Sequence, residues 1–203
     1  MSGMTALAAL RALKTPVLTT ADASAALGSS IEAASQTLRR LRAAGLVWGI
    51  RKGLWSLADP TEPLALAEYV TAPYPSYASL QTALYLHGMI DQIPAVTYLA
   101  SLSRSHQVRT SVATFSVHRI APEFFGGFDV LPGSGVKLAA PEKALLDVLY
   151  LSGTRSRLFA ALPEVELPRK FSHRVAKAWI ARISSARLRS LVGQRYARMI
   201  AGG

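Results

Sequence analysis

The chain has 203 residues, of which half are apolar and none is cysteine. This length allows one large or two small domains, and the apolar content excludes a chain that is disordered by composition. The lack of cysteine excludes disulfides and thiolate metal sites, so nothing indicates an oxidising compartment.

Charge narrows the range of partners. Lysine and arginine total 23 against 12 acidic residues, a formal net charge of +11, which favours polyanionic partners. The cations gather near both ends of the chain, up to Lys52 and beyond Tyr150, whereas the centre is nearly balanced. No apolar run approaches the roughly 20 residues that cross a bilayer, and the N-terminus lacks a secretory signal pattern. We therefore expect a cytoplasmic protein without a membrane partner.

Two helices are predicted at the start of the chain. Residues 5–14 are rich in alanine and leucine, and Pro16 ends the helix that they predict. Thr19 and Thr20 offer an N-cap for a short helix over residues 21–27. Two interpretations of these hydroxyls stay open. They act as plain caps, or they bind phosphate together with the free N–H groups of the first turn.

A third helix, which begins at Ile31 and ends near Gly45, is the most informative. Ser29 and Ser30 precede it and provide its N-cap, and a glycine at its end fits a left-handed cap. Its apolar stripe consists of Ile31, Ala34, Leu38 and Leu41. Its opposite face carries Glu32, Ala33, Gln36, Arg39, Arg40 and Ala43. Arg42 lies nearer the buried side, and we assign it a structural role at the helix C-terminus, where the dipole favours a cation.

A hairpin with a cationic tip follows this helix. Apolar residues 47–50 and 54–57 flank Arg51, Lys52 and Gly53. A polar-faced helix followed by such a hairpin is typical of the recognition helix and wing of a winged helix-turn-helix, which we predict over residues 1–58. The predicted DNA contacts are Thr19, Thr20, Ser30, Gln36, Arg39, Arg40, Arg51 and Lys52. The alternative is a solvated basic face in an ordinary domain.

The second domain is predicted over residues 63–203, after a turn-rich break at residues 59–63. It mixes helices with strands, so the predicted fold class is α+β. Helices are predicted over residues 63–70, 76–88 and 141–151. Strands are predicted over residues 96–102, 108–114 and 115–120, with an aromatic loop at 124–128 and a turn at 133–135. The buried side of the helix over 141–151 should hold Ala144, Leu145, Val148 and Leu149.

The chain from about residue 154 onward is predicted to be basic and helical, with one helix over residues 172–183 and a last helix that includes residues 188–199. Its candidate partner-binding residues are Arg174, Lys177, Arg187 and Arg198. Three interpretations stay open: a solvated cationic face, an extension of the DNA footprint along phosphates, and a surface for an acidic protein partner. We rank the protein partner slightly above the DNA extension.

Two segments together resemble the AbiEi family of bacterial antitoxins. The first is PSYASLQTALYLHGMI at residues 75–90, and the second is AAPEKALLD at residues 139–147. Members of that family are the antitoxins of abortive-infection, or type IV, toxin–antitoxin pairs, with an N-terminal winged helix and a C-terminal α/β domain. The resemblance spans nearly the whole chain. It implies repression of the pair's own promoter at inverted repeats and neutralisation of a nucleotidyltransferase-type toxin, and it carries over no catalytic residue.

Both segments also have structural interpretations. Pro75 and Gly88 bracket a predicted helix, and Pro141 with Glu142 makes a good helix start. Core candidates in the first segment are Tyr77, Leu80, Leu84 and Tyr85.

Patterns that indicate an enzyme are weak. The histidines at 87, 106, 118 and 173 are scattered, and there is no nucleophile elbow or phosphate loop. A magnesium nuclease would use Asp129 with Glu142 and Lys143, but a capping glutamate and a surface lysine are the simpler interpretation. We expect no enzyme activity, no cofactor and no metal.

The sequence thus predicts an antitoxin and transcriptional autorepressor of its own operon. Its expected partners are operator DNA with inverted repeats and a nucleotidyltransferase-like toxin, with or without a stable complex, and the expected oligomeric state is a monomer or weak dimer. A second hypothesis is a winged-helix transcription factor whose second domain senses a small ligand and has no toxin partner.

Overall fold

A computed structural model of the chain describes residues 3–59, 62–153 and 164–201. These residues form a mixed α+β fold with two separate β-sheets. The predicted break at residues 59–63 falls partly outside the described residues. The same holds for the first ten residues of the predicted basic C-terminal region, which include Arg155 and Arg157.

The N-terminal unit contains three helices and three strands. In chain order they are α1 (Gly3–Arg11), β1 (Val17–Thr19), α2 (Thr20–Leu27), α3 (Ile31–Ala43), β2 (Trp48–Arg51) and β3 (Leu54–Ser56). The strands form an antiparallel sheet in the order β1-β3-β2. Strand β1 was not predicted, because a three-residue strand has no measurable periodicity and forms only when β3 pairs with it.

Local sequence explains where these helices begin and end. Thr19 and Asp22 form a reciprocal capping box at the start of α2. The Ser30 hydroxyl accepts a 3.2 Å hydrogen bond from Ala33 N at the start of α3. Gly45 adopts the predicted left-handed conformation (φ 69°), and Leu46 N donates to Leu41 O at 2.9 Å, which closes the end of α3.

The apolar stripe of α3 is confirmed in part. Ala34, Leu38 and Leu41 are buried against α1 and α2 in the core of the N-terminal unit. The prediction for Ile31 was wrong, because its side chain is 48% exposed. Its side chain lies on the side of α3 that faces the β2–β3 hairpin, where a groove stays open.

The second unit is built on a six-stranded mixed sheet. Its strands are β4 (Ser76–Ala78), β5 (Thr97–Ser101), β6 (His106–Arg109), β7 (Thr114–Arg119), β8 (Phe128–Val130) and β9 (Lys137–Ala139). Their order in the sheet is β6-β7-β5-β4-β9-β8, so β6 and β8 are the edges. The helices of this unit are α4 (Ala67–Thr71), α5 (Leu80–Leu86), α6 (Pro141–Ser152), α7 (His173–Ala181) and α8 (Ala186–Ala201), with short 3-10 helices at Pro63–Leu66 and Pro122–Phe124.

Two predicted elements of this unit need correction. The helix predicted over residues 76–88 begins as strand β4, which pairs with both β5 and β9, and only Leu80–Leu86 is helical. The strand predicted over 108–114 is shifted towards the N-terminus, because residues 110–113 form a turn. The Thr110 hydroxyl accepts from Ala113 N at 3.0 Å and holds that turn. The first difference arises from pairing partners that are distant in sequence, whereas the second arises from a local turn between the neighbouring strands β6 and β7.

Helix α6 begins at Pro141 as predicted, and its four predicted core residues are all buried. Helices α7 and α8 pack on α6 and on each other. Nearly all of α6 is buried, including Glu142, Lys143 and Asp147. The prediction of a surface position for Lys143 was therefore wrong.

The hairpin of the N-terminal unit is attached to the second unit. Val17, Ile50 and Leu54 belong to the core cluster of the second unit, not to that of their own. Ser111, in the turn between β6 and β7, donates from N to Ile50 O and from its hydroxyl to Gly49 O, both at 2.9 Å. Strand β2 is thereby held in a fixed position against the edge of the large sheet.

Within the described ranges, none of the helices combines the length and the apolar character that a bilayer crossing needs.

Candidate nucleic-acid interface

An open groove of about 770 Å³ lies between α3 and the β2–β3 hairpin. Helix α3 contributes Ile31, Glu32, Ser35, Gln36, Arg39 and Arg42. The hairpin contributes Gly49, Arg51, Lys52, Gly53 and Trp55, and α2 contributes Thr20. Part of the predicted helix face and the predicted cationic tip therefore line one surface.

The face of α3 that meets the groove differs from the predicted one by part of a turn. Gln36 and Arg39 lie in the groove and are exposed, as predicted. Arg40 is exposed but is not among the groove residues, since it follows Arg39 by about 100° around the helix. It therefore points to the flank of α3 that faces away from the hairpin.

Arg42 lies in the last turn of α3, as predicted, and its exposed side chain also lines the groove, where no contact was predicted for it. A Cβ atom placed on Gly49 would lie 3.4 Å from an Arg42 guanidinium nitrogen and 3.6 Å from the Trp55 ring. The guanidinium thus packs beside the backbone of β2, and the glycine leaves room for it. This contact was not predicted, because the position of β2 relative to α3 is a tertiary feature.

The three hydroxyls predicted to bind DNA all have structural partners. Thr19 Oγ1 accepts from Asp22 N at 3.1 Å and donates to Asp22 Oδ2 at 2.8 Å. Thr20 Oγ1 accepts from Trp55 Nε1 at 3.0 Å, and Thr20 N donates to Gly53 O at 3.0 Å. The Ser30 hydroxyl caps α3. Thr20 therefore connects the first turn of α2 to the hairpin.

Positive charge dominates the groove. Arg39, Arg42, Arg51 and Lys52 line it, and Glu32 is the one carboxylate among its lining residues. Hydrogen bonds from its own backbone N–H and from the Ser30 side chain lower the pKa of Glu32. Its charge sits at the N-terminus of α3, where the helix dipole favours an anion.

A different group of charges lies in the interior of the second unit. Lys143 Nζ forms an ion pair with Asp147 Oδ1, and both side chains have no exposed surface. Asp147 Oδ2 accepts hydrogen bonds from the Tyr77 hydroxyl at 3.0 Å and from the Ser79 hydroxyl at 2.6 Å. We call these four residues the buried polar cluster.

Aromatic rings surround the ammonium of this cluster. Lys143 Nζ lies 3.9 Å from the ring centre of Phe124, 5.1 Å from that of Trp179 and 5.5 Å from that of Tyr77. Burial lowers the pKa of Lys143, while Asp147 opposes that shift. Burial and the neighbouring Asp147 carboxylate together raise the pKa of Tyr77 well above its ordinary value.

The two segments that carry the family resemblance meet at this cluster. Tyr77 and Ser79 come from the first segment, and Lys143 and Asp147 come from the second. A ring nitrogen of His87 also lies 2.7 Å from the Ala139 carbonyl oxygen. The cluster has no open surface, so we assign it a structural role: it joins β4 to α6.

The structure does not bring together the residues considered for a nuclease. Glu142 accepts a 2.5 Å hydrogen bond from Ser172 N, Lys143 pairs with Asp147, and Asp129 is exposed on β8. In the described part of the chain, no group of three or more acidic or histidine side chains has a metal-binding arrangement.

The four candidate partner-binding residues are all exposed, but they do not converge. Lys177 lines a groove of about 630 Å³ between α7 and α8, together with Arg189 and apolar residues that include Ile180 and Ile200. Arg174 lies on another face of α7, beside Trp179 and Arg182. Arg187 and Arg198 are on α8 but are not among the residues that line the groove.

A comparison of the chain with models of known protein families finds no match, and a comparison with curated protein sequences finds no similar protein.

Proposed function

We propose that the protein is a DNA-binding transcriptional autorepressor whose N-terminal unit is a winged helix-turn-helix. The observation that carries this proposal is the groove, in which base-reading side chains from a helix face cations from a hairpin. The order of elements, with α2 and α3 followed by the β2–β3 hairpin, fits the helix-turn-helix and wing arrangement.

In this proposal α3 enters the major groove of DNA. Gln36 donates and accepts at the edge of an adenine, and Arg39 donates to a guanine or a phosphate. Arg51 and Lys52, at the tip of the hairpin, hold the flanking phosphates. Arg40 contacts the phosphates on the other side of α3. Two copies on an inverted repeat place two α3 helices in successive major grooves, as monomers or as a weak dimer.

The groove can be tested with the DNA upstream of the gene as the probe. Arg39→Ala should weaken binding about tenfold and lower the slope of log K against log salt by roughly one unit, because one cation that contacts a phosphate or a base edge is lost.

Gln36→Ala should change the preferred bases more than the total affinity. Fluorescence anisotropy at several salt concentrations measures both effects. Arg187→Ala removes the same charge from α8 and is the matched control for Arg39→Ala. If Arg187→Ala and Arg39→Ala lose equal DNA affinity, the proposal is contradicted.

We also propose an antitoxin role for the second unit, with a nucleotidyltransferase-like toxin as its target. The support is the resemblance of residues 75–90 and 139–147 to the AbiEi antitoxins, together with the contacts that join these two segments. The surface that suits a protein partner best is the α7–α8 groove, because its apolar floor has Lys177 and Arg189 at its rim. That combination fits an amphipathic helix with an acidic edge.

Co-expression with the product of the neighbouring gene tests this role. The full chain should restore growth to cells that express the toxin, whereas Ile180→Asp with Ile200→Asp should fail to do so and still bind DNA. Arg39→Ala is the reciprocal control and should restore growth. If the unaltered chain does not restore growth, a winged-helix factor with a ligand-sensing second domain is the better hypothesis.

A further inference from the structure

A second basic surface lies beside the hairpin, on the second unit. It is a cleft of about 770 Å³ between the edge strand β6, the residues that follow α4, and Arg51 of β2. Its cationic side chains are Arg51, Arg104, Arg109 and Arg119, and it also contains His106 and Tyr74. Arg104, Arg109 and Arg119 come from the central part of the sequence, where charge is nearly balanced, but the fold brings them together.

Acidic side chains are missing from this cleft. None of the residues that line it is a carboxylate. The two ion pairs found within residues 3–59, 62–153 and 164–201 are Lys137 with Glu68 and Lys143 with Asp147, and neither involves these arginines. All four guanidinium groups belong to exposed residues. Like charges that are gathered without counter-charges raise the free energy of the isolated protein, and an anion relieves that cost.

The cleft adjoins the α3–hairpin groove at Arg51. Arg51 lines both surfaces. The turn after β6 is fixed to β2 through the two hydrogen bonds of Ser111 to the Gly49 and Ile50 carbonyls. The start of β6 is also ordered, since the Ser105 hydroxyl accepts from Arg119 N at 2.9 Å. The arginines of the cleft are therefore held at a set position relative to the hairpin.

We propose that this cleft binds the sugar–phosphate backbone of the same DNA duplex, next to the segment held by α3 and the hairpin. This proposal rests on the proposed DNA-binding function and extends it to a second contact surface. Arginines 104, 109 and 119 contact phosphates without reading bases, and the exposed Tyr74 packs against sugars. The footprint of each copy is thereby longer than a single winged helix would give.

Arg104→Gln combined with Arg109→Gln tests the cleft, and Arg187→Gln combined with Arg198→Gln is the control with equal charge loss on α8. All four positions are exposed, so the melting temperature should not change. The probes are fluorescein-labelled mixed-sequence duplexes of about 12 and about 40 base pairs, because only the longer one reaches past the hairpin.

On the long duplex, the cleft variant should bind about tenfold more weakly, and the slope of log K against log salt should fall by roughly 1.8. On the short duplex, the cleft variant should bind as tightly as the unaltered protein. The control variant should bind both duplexes as tightly as the unaltered protein. A cleft variant that keeps full affinity and slope on the long duplex overturns the proposal.

Arg39→Ala in the same assay separates the two proposals. If Arg39→Ala loses affinity and the cleft variant does not, the cleft proposal fails and the proposed function stands. If neither the unaltered chain nor any variant binds either duplex, the proposed function fails as well. The unaltered protein is also tested with polyglutamate. If it binds polyglutamate more tightly than the long duplex, and the cleft variant loses that binding, then the cleft binds an acidic protein partner and the proposal is overturned.

Discussion

The groove beside α3 and the buried polar cluster of α6 use charge in opposite ways. In the groove, four cations remain exposed with a single carboxylate nearby, so they are available to pair with an anionic ligand. In the cluster, Lys143 is fully buried, and its charge is met by Asp147 and by aromatic rings. An exposed unpaired cation costs little in water, whereas a buried one must be paired. Mutations in the first should therefore alter binding, and mutations in the second should alter stability.

The largest effect is expected for Asp147→Ala. It leaves Lys143 buried and unpaired and removes the acceptor of Tyr77 and Ser79. The free energy of unfolding should fall by about 3–5 kcal/mol, as measured by urea denaturation. Lys143→Met in the same chain should recover part of the loss, since it removes the unpaired charge. A loss below about 1 kcal/mol would show that water or another group compensates for the missing carboxylate.

A smaller loss is expected for Gly127→Ala, next to the same cluster. Gly127 has a φ of 70°, and a Cβ atom there would lie 2.7 Å from a Trp179 ring carbon and 3.0 Å from Lys143 Cγ. We expect about 2–3 kcal/mol of destabilisation from backbone strain and the clash. Gly133→Ala is the control, because its φ is 78° but nothing lies within 4 Å. Equal losses in the two variants would mean that strain alone accounts for the effect.

A pH effect of intermediate size is expected from His118 on β7. Burial lowers its pKa from 6.5 to about 4. The folded state therefore excludes a proton that the unfolded chain binds, so stability is full above pH 6.5 and is lost as pH falls from 6.5 towards 4. The slope contributed by one such group is at most about 1.4 kcal/mol per pH unit. His118→Gln should reduce the slope of the free energy of unfolding against pH below pH 6.5. If the slope does not change, the pH dependence comes from carboxylates.

The smallest effect distinguishes the two flanks of α3 and should leave stability unchanged. Arg42→Ala removes a cation from the groove, whereas Arg40→Ala removes one from the opposite flank. Each should lower the salt slope of DNA binding by roughly 0.9. A probe with wing-side phosphates replaced by neutral methylphosphonates should remove the effect of Arg42→Ala alone. If the replacement removes the effect of Arg40→Ala instead, the orientation of α3 on the DNA is reversed.

Much of the N-terminal unit was predictable because its signals are local. The caps at Thr19, Ser30 and Gly45 and the turn at Gly53 each depend on a few neighbouring residues. Gln36 and Arg39 lie on the predicted outer face of α3, and Arg51 and Lys52 lie at the predicted hairpin, since helix period and turn residues are encoded in sequence; the four residues line one groove. The position of Arg42 in the groove was not predicted, because it depends on how β2 packs beside α3.

The second unit was predicted less well because its pairings are non-local. Strand β4 pairs with β5 and with β9, which lies about sixty residues further along the chain, so a segment with helical periodicity became partly a strand. Lys143 was predicted to be exposed, as most lysines are. Its partner Asp147 is one helical turn away, but the rings that enclose it come from Phe124 and Trp179, on other elements.

The sequence by itself determined the net charge, most helix boundaries and the polar face of α3, because these depend on composition and on contacts within a few residues. Only the tertiary structure decided which charges share a surface. It gathered Arg104, Arg109 and Arg119 beside Arg51 and buried Lys143 next to Asp147. The physical reason is that burial and electrostatic neighbourhood depend on distances between elements, and the packing of helices and strands from distant parts of the chain sets those distances.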